Sequence, residues 1–196
     1  MRTKIIFGAL AALVALAAPA NTAEVASADL VTQREFVAKM GMCMLCHGTN
    51  GTPVRPNIPI IWGQQQDYLV KQVHDFESGN RKNELMTWAS KTLHPEERDA
   101  GAIWFSKKTW PARAAAAAAP ATPRPGGMAV CEACHQLNFT GGLLVPRLAG
   151  QNYEYLVESM RSFADGERTN NPEMGAMMKA LQPAQREAMA RYLSGL

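Results

Sequence analysis

Cys43-Met44-Leu45-Cys46-His47 returns eighty-eight residues later as Cys131-Glu132-Ala133-Cys134-His135. Cys-x-x-Cys-His is the attachment signal of c-type haem, and chemistry explains its spacing. Two thiols three residues apart share one face of a helical turn, where they can add to the two vinyl groups of one porphyrin. The histidine that follows is placed under the iron as proximal ligand. The two copies consume all four cysteines of the chain, so neither a disulfide framework nor a spare reactive thiol is expected. A redox disulfide or half a zinc site would also use Cys-x-x-Cys, but neither needs the immediate histidine twice. The pattern predicts two covalent haem c groups, attached through Cys43 and Cys46 and through Cys131 and Cys134, with His47 and His135 on the irons.

The duplication extends well beyond the motifs. Gly63-Gln64 and Tyr68-Leu69-Val70 correspond to Gly150-Gln151 and Tyr155-Leu156-Val157. Phe76, Gly79, Arg81 and Asn83 match Phe163, Gly166, Arg168 and Asn170, and Leu93-x-Pro95 matches Leu181-x-Pro183. The offset is 88 at the motifs, 87 in the middle and 88 at the end, so two single-residue indels separate the copies. Each copy reads as helical. Residues 30–46 form a first helix with Phe36, Val37, Met40 and Met44 as its buried stripe. Residues 66–77 and 153–164 form a second, stopped by Gly79 and Gly166. Pro95 and Pro183 each open a later helix as first-turn prolines. A unit of about 80 residues is small for a hydrophobic core of its own, so each core is expected to form around its haem, leaving the apoprotein poorly folded.

Residues 111–127 hold six consecutive alanines, four prolines and Gly126-Gly127, the composition of a linker. It leaves little room for a full helix before Cys131, unless the alanine run supplies one. At the other end, Arg2 and Lys4 precede fourteen apolar residues, 5–18, and Ala-x-Ala sites follow at Ala18-Pro19-Ala20 and Ala26-Ser27-Ala28. Fourteen residues fall short of the roughly 20 that span a bilayer. The expected organisation is a cleaved export signal at 1–28 (or cleavage after 20), a first domain at 29–110, the linker at 111–127 and a second domain at 128–196. Export matches covalent haem attachment outside the bacterial cytoplasm and places the protein in the periplasm, associated with the membrane if the signal is retained. The net charge of +3 is mild and without a basic cluster, which excludes nucleic acid as a partner.

The sixth iron ligand separates electron transfer from chemistry on a substrate. Of the four histidines, the second copy holds only His135, so bis-histidine ligation within it is excluded. Met86 is the only methionine between His47 and the linker; it lies 39 residues beyond that histidine and 7 before Leu93. Met174 lies 39 residues beyond His135 and 7 before Leu181. Two anchors therefore select Met86 and Met174, with Met177 and Met178 the alternatives beside the latter. Thioether sulfur favours ferrous iron and raises the reduction potential over bis-histidine ligation. His74 and His94 read as surface groups. The carbonyls of Pro59 and Pro146 are candidates to orient the iron-bound imidazoles. Arg81 and Arg168 either pair with haem propionates or are solvated. Trp62, Tyr68 and Tyr155 read as core.

Together these residues resemble the class I c-type cytochromes, and in tandem the di-haem cytochrome c4 family. Cys-x-x-Cys-His-Gly at 43–48, Gly-Gln with a Tyr-Leu helix at 63–69, Phe-x-x-Gly-x-Arg at 76–81 and the methionine before Leu-x-Pro carry the likeness. Gln136 in place of glycine after the second motif departs from it. The resemblance implies an all-α protein of two tandem cytochrome c-like domains, facing each other across a pseudo-two-fold interface with propionates nearby. It implies a non-catalytic carrier, without a small-molecule substrate, shuttling electrons between respiratory redox partners toward a terminal oxidase. The alternative is a haem-bearing subunit of a larger dehydrogenase complex that oxidises sulfide or thiosulfate.

Overall fold

The computed structural model describes residues 22–111 and 123–196. Residues 1–21 of the candidate signal and the alanine run at 112–122 lie outside the described residues. Among these, the order is α1 (Thr22–His47), α2 (Gln66–Ser78), α3 (Glu84–Thr92), α4 (Pro95–Ser106), α5 (Met128–His135), a 3-10 turn at Leu137–Phe139, α6 (Tyr153–Ala164), α7 (Pro172–Ala180) and α8 (Pro183–Ser194). No described helix is long and apolar enough to cross a membrane. Residues before Phe36 separate as a unit of their own, whose described part is the start of α1. The described residues from Phe36 to Leu196 form one compact unit.

Within that unit the two copies fold alike. Pro95 and Pro183 sit at the start of α4 and α8, where a missing N–H costs nothing. Both helices begin with a reciprocal capping pair, His94 with Glu97 and Gln182 with Gln185. Helix α2 stops where Gly79 turns left-handed at φ 82°, its N–H donating to the Phe76 carbonyl. Two apolar clusters form, one around Met40, Leu69, Ala102 and Phe105, the other around Met128, Leu156, Phe163, Met189 and Leu193. Met40 and Met128 are matched anchors, 0% and 1% exposed; burial of such a side chain is worth roughly 1.5–3 kcal/mol. Helix α4 approaches Met40 through Gly101, where a Cβ would lie 2.8 Å from the Met40 sulfur.

The structure changes three sequence expectations. Helix α1 starts at Thr22, and Val37 is 45% exposed rather than part of the buried stripe. Phe36, Met40 and Met44 face the core, together with Cys43. Helices α3 and α7, which carry Met86 and Met174, were not expected. Finally, the partner of Asn83 is Asn171, not Asn170. Asn83 and Asn171 both cap their helices by accepting the N–H three residues on, so the indel falls between Arg168 and Asn171. Helix α5 begins only at Met128, the shortened start that the linker composition implies.

Candidate haem-binding site

Each motif closes a helix. Cys43 and Cys46 lie in the last turn and a half of α1, Cys131 and Cys134 in α5, and none of the four is in a disulfide. Burial pushes the Cys43 and Cys131 thiols up. Both histidines are buried, 6% exposed. His47 Nδ1 lies 2.8 Å from the Pro59 carbonyl and His135 Nδ1 3.0 Å from that of Pro146. A carbonyl only accepts, so Nδ1 carries the proton and Nε2 keeps its lone pair for a metal. Burial lowers both imidazole pKa values, favouring the neutral, ligating form. The two prolines thus have the orienting role that the sequence suggested.

One continuous cavity of about 1350 Å³ runs through the compact unit, lined by both motifs and by Met86, Met174, Met177 and Met178. It exceeds the roughly 300–1,000 Å³ of a pocket for one drug-sized ligand. Met86 and Met174 are third residues of α3 and α7, their N–H groups donating to Asn83 and Asn171 at 2.9 and 2.8 Å. Met178 is buried at the position that Ser90 holds in the first copy. Soft sulfur, neutral imidazole and paired thiols around apolar space suit haem c. His74, by contrast, pairs with Asp99 at 2.7 Å with its side chain 44% exposed, and His94 caps α4.

The halves meet across an approximate two-fold. The Gln64 carboxamide donates to the Arg147 carbonyl (3.0 Å) and accepts the Arg147 N–H (2.7 Å). Gln151 does the same with Ile60, at 2.9 and 2.8 Å. Arg81 Nη2 reaches the Tyr155 hydroxyl at 3.1 Å, and Arg168 Nη2 the Tyr68 hydroxyl at 3.3 Å. Each guanidinium also lies over its own domain's phenylalanine, Phe76 at 4.6 Å and Phe163 at 4.3 Å. The arginines are therefore interface residues rather than solvated ones, and they line the cavity. Trp62 packs beside the first core, but its buried Nε1 has no partner among the described residues.

A cytochrome c family profile matches residues 128–196. Cytochrome c4 of Stutzerimonas stutzeri is 30% identical over 183 residues, covering 81% of this chain and 86% of the relative. The chain belongs to the di-haem cytochrome c4 family. The crystal structure of reduced recombinant cytochrome c4 from Pseudomonas stutzeri superposes with a TM-score of 0.68 at 28% identity, covering 82% of this chain and 97% of that one. A thiosulfate dehydrogenase electron acceptor from Stutzerimonas stutzeri (strain A1501) is 30% identical over 169 residues, 79% of this chain and 78% of the relative. As a cytochrome c4 relative the protein is an electron carrier with covalently bound haem c, working with redox protein partners. The missed elements were legible in part. Asn83 two residues before Leu85-Met86, and Asn171-Pro172 before Glu173-Met174, are cap signals for short helices.

Proposed function

We propose that the protein holds two haem c groups, one in each half, and passes single electrons between respiratory partners in the periplasm without catalysing a reaction of its own. Bound haem supplies reversible one-electron iron chemistry; the chain's residues set where and at what potential. Cys43 and Cys46, and Cys131 and Cys134, attach the macrocycles. His47 and His135 would ligate the irons through Nε2, oriented by the Pro59 and Pro146 carbonyls, and Met86 and Met174 would supply the sulfur ligands. The division into an export signal at 1–28, domains at 29–110 and 128–196 and a linker at 111–127 belongs to the same reading. The observation that carries it is the paired placement of the methionines. Met86 and Met174 hold the same position on equivalent Asn-capped helices lining the cavity that the two histidines line. Met177 and Met178 align with Ala89 and Ser90 instead, so neither has a methionine counterpart.

A terminal oxidase is the acceptor that this reading favours. The likeness to a thiosulfate dehydrogenase electron acceptor supports a second reading, in which a thiosulfate-oxidising enzyme is the donor. Redox titration of the purified protein with Met86 and Met174 replaced one at a time tests the ligands. Each replacement is expected to lower one potential and remove half of the methionine-to-ferric-iron absorption. Two unchanged potentials, or a wild-type protein with a high-spin haem that binds carbon monoxide readily, would overturn the assignment.

A further inference from the structure

Helices α3 and α7 have nine residues each, below the roughly 12–15 at which an isolated helix becomes even marginally stable in water. Something outside them must hold their shape. Asn83 and Asn171 secure one end. At the other end an arginine from the following helix enters, Arg98 buried and Arg186 half-buried. Arg98 Nη1 donates to the Ser90 carbonyl at 3.1 Å. Arg186 Nη1 donates to the Met178 carbonyl at 2.9 Å and the Leu181 carbonyl at 2.5 Å. Ser90 and Met178 are one helical turn beyond Met86 and Met174 and are themselves each 3% exposed. The offset between the arginines is again 88, so the arrangement occurs once per copy. A guanidinium at a helix C-terminus adds a donor where carbonyls are short of partners and opposes the negative end of the dipole; the Met178 carbonyl otherwise receives only the long 3.3 Å bond from the Leu181 N–H.

We propose that Arg98 and Arg186 are positioning residues for the sulfur ligands, each locking the helix that presents Met86 or Met174 to its iron. The proposal rests on the ligand assignment above. The methionine–iron bond is the weak axial bond, and its strength depends on how little the sulfur moves. With the C-terminal carbonyls released, the short helix frays toward its methionine and the sulfur yields more readily to a competing ligand. Arg98 has a further contact, Glu77 Oε1 at 3.6 Å. Its Nε and the neighbouring Ser90 hydroxyl are buried without a partner among the described residues.

The test is displacement of methionine by imidazole in the ferric holoprotein, followed at each haem by NMR of the axial-methionine signals. Loss of one charge-assisted bond to a buried carbonyl implies about a tenfold gain in imidazole affinity. Arg98→Ala is expected to show it at the first haem only, and Arg186→Ala at the second only. Arg98→Lys, which keeps a donor and the charge, is expected to restore most of the wild-type affinity. Wild-type imidazole affinity in both alanine variants, or equal changes at both haems in either one, overturns the proposal. Should an alanine variant not retain its haems, Arg98→Gln and Arg186→Gln take its place under the same two outcomes. The ligand assignment fails separately: wild-type protein would then lack one or both axial-methionine signals before any imidazole is added.

Discussion

Gln64 and Gln151 hold each other's halves by the same device. Each carboxamide forms two hydrogen bonds to the backbone of the residue four positions before the other glutamine, Arg147 for Gln64 and Ile60 for Gln151. Both side chains are buried, 4% and 2% exposed. The bonds replace a strand-like pairing that the helical halves lack, and they join the loops that also supply the carbonyls for His47 and His135.

Removing one of these amides leaves a buried N–H and a buried carbonyl unpaired. Gln151→Ala is therefore expected to destabilise the holoprotein by about 2 kcal/mol. In denaturant titrations followed by haem absorption, the single transition should broaden or split as the halves uncouple. An unchanged midpoint would show that water replaces the amide without loss.

Gln136 stands where the first copy has Gly48, and both backbones are left-handed, at φ 65° and 86°. With ψ 165°, Gln136 occupies a region that is essentially reserved for glycine and costs of order 1–3 kcal/mol. Gln136→Gly should thus stabilise the second half by about 1 kcal/mol in thermal unfolding. The reciprocal Gly48→Ala should be strongly destabilising, because its Cβ would lie 2.0 Å from the Thr52 carbonyl oxygen. A neutral Gln136→Gly would mean that the strain is relieved elsewhere in the loop.

Tyr155 and Tyr68 share one polar pocket with Arg81 and Arg168. Burial raises the Tyr155 phenol, but the two guanidiniums and the hydrogen bonds from Arg81 and Tyr68 outweigh it and bring its pKa down to about 7. Tyr68 moves upward, through burial and then the charge of its neighbour. Tyr155 is the member that ionises first, since Arg81 lies closer to it than Arg168 does to Tyr68, and Arg168 Nη2 is shared with Gln72. Unfolded, the phenol titrates near 10. A depressed folded value means that its contribution to stability is complete above pH ~10 and lost as pH falls through about 7. Wild type minus Tyr155→Phe should show tyrosinate absorption appearing near neutrality, and the stability gap between the two should widen from pH ~7 to ~10. A tyrosinate signal only above pH ~10 would refute this.

Asn83→Ala and Asn171→Ala remove the bond to the methionine N–H at the opening of α3 and α7. Each is expected to cost about 1 kcal/mol. The loss should be read at one haem per variant, as a lower temperature for disappearance of that methionine's absorption. Equal effects on both haems would mean that the caps act on the interface and not on their own helices.

Much of this was written in the duplication. Two copies of one frame gave the offset that aligns His47 with His135 and Met86 with Met174, and the helices at 66–78 and 153–164 follow from apolar spacing ended by glycine. The short helices α3 and α7 escaped because nine residues hold only one repeat of the helical spacing, Leu85 with Trp88 and Ala89 and Met174 with Met177 and Met178; caps and tertiary clamps hold them. Asn170 was mistaken for the counterpart of Asn83 because two adjacent asparagines offer the same letter. Only the hydrogen bond to the Met174 N–H separates the cap from its neighbour. The exposure of Val37 and the burial of Arg168 depend on which helix lies opposite, and a single chain of letters does not carry that.

Asn170 itself gives the two-fold a direction. It occupies the extra position of the second copy, and its amide reaches Gln72 at 3.1 Å and Asp75 at 2.6 Å, while Lys71 donates to its carbonyl at 3.2 Å. Where the first half offers Lys71, Gln72 and Asp75, the second offers Glu158, Ser159 and Ser162. Two first halves brought together would leave Asp75 without the amide, and two second halves would set Asn170 against serines. The contact surface has diverged into a plug and a socket. Although it descends from one repeated unit, the molecule is a fused heterodimer, and halves produced as separate chains would sort into unlike pairs.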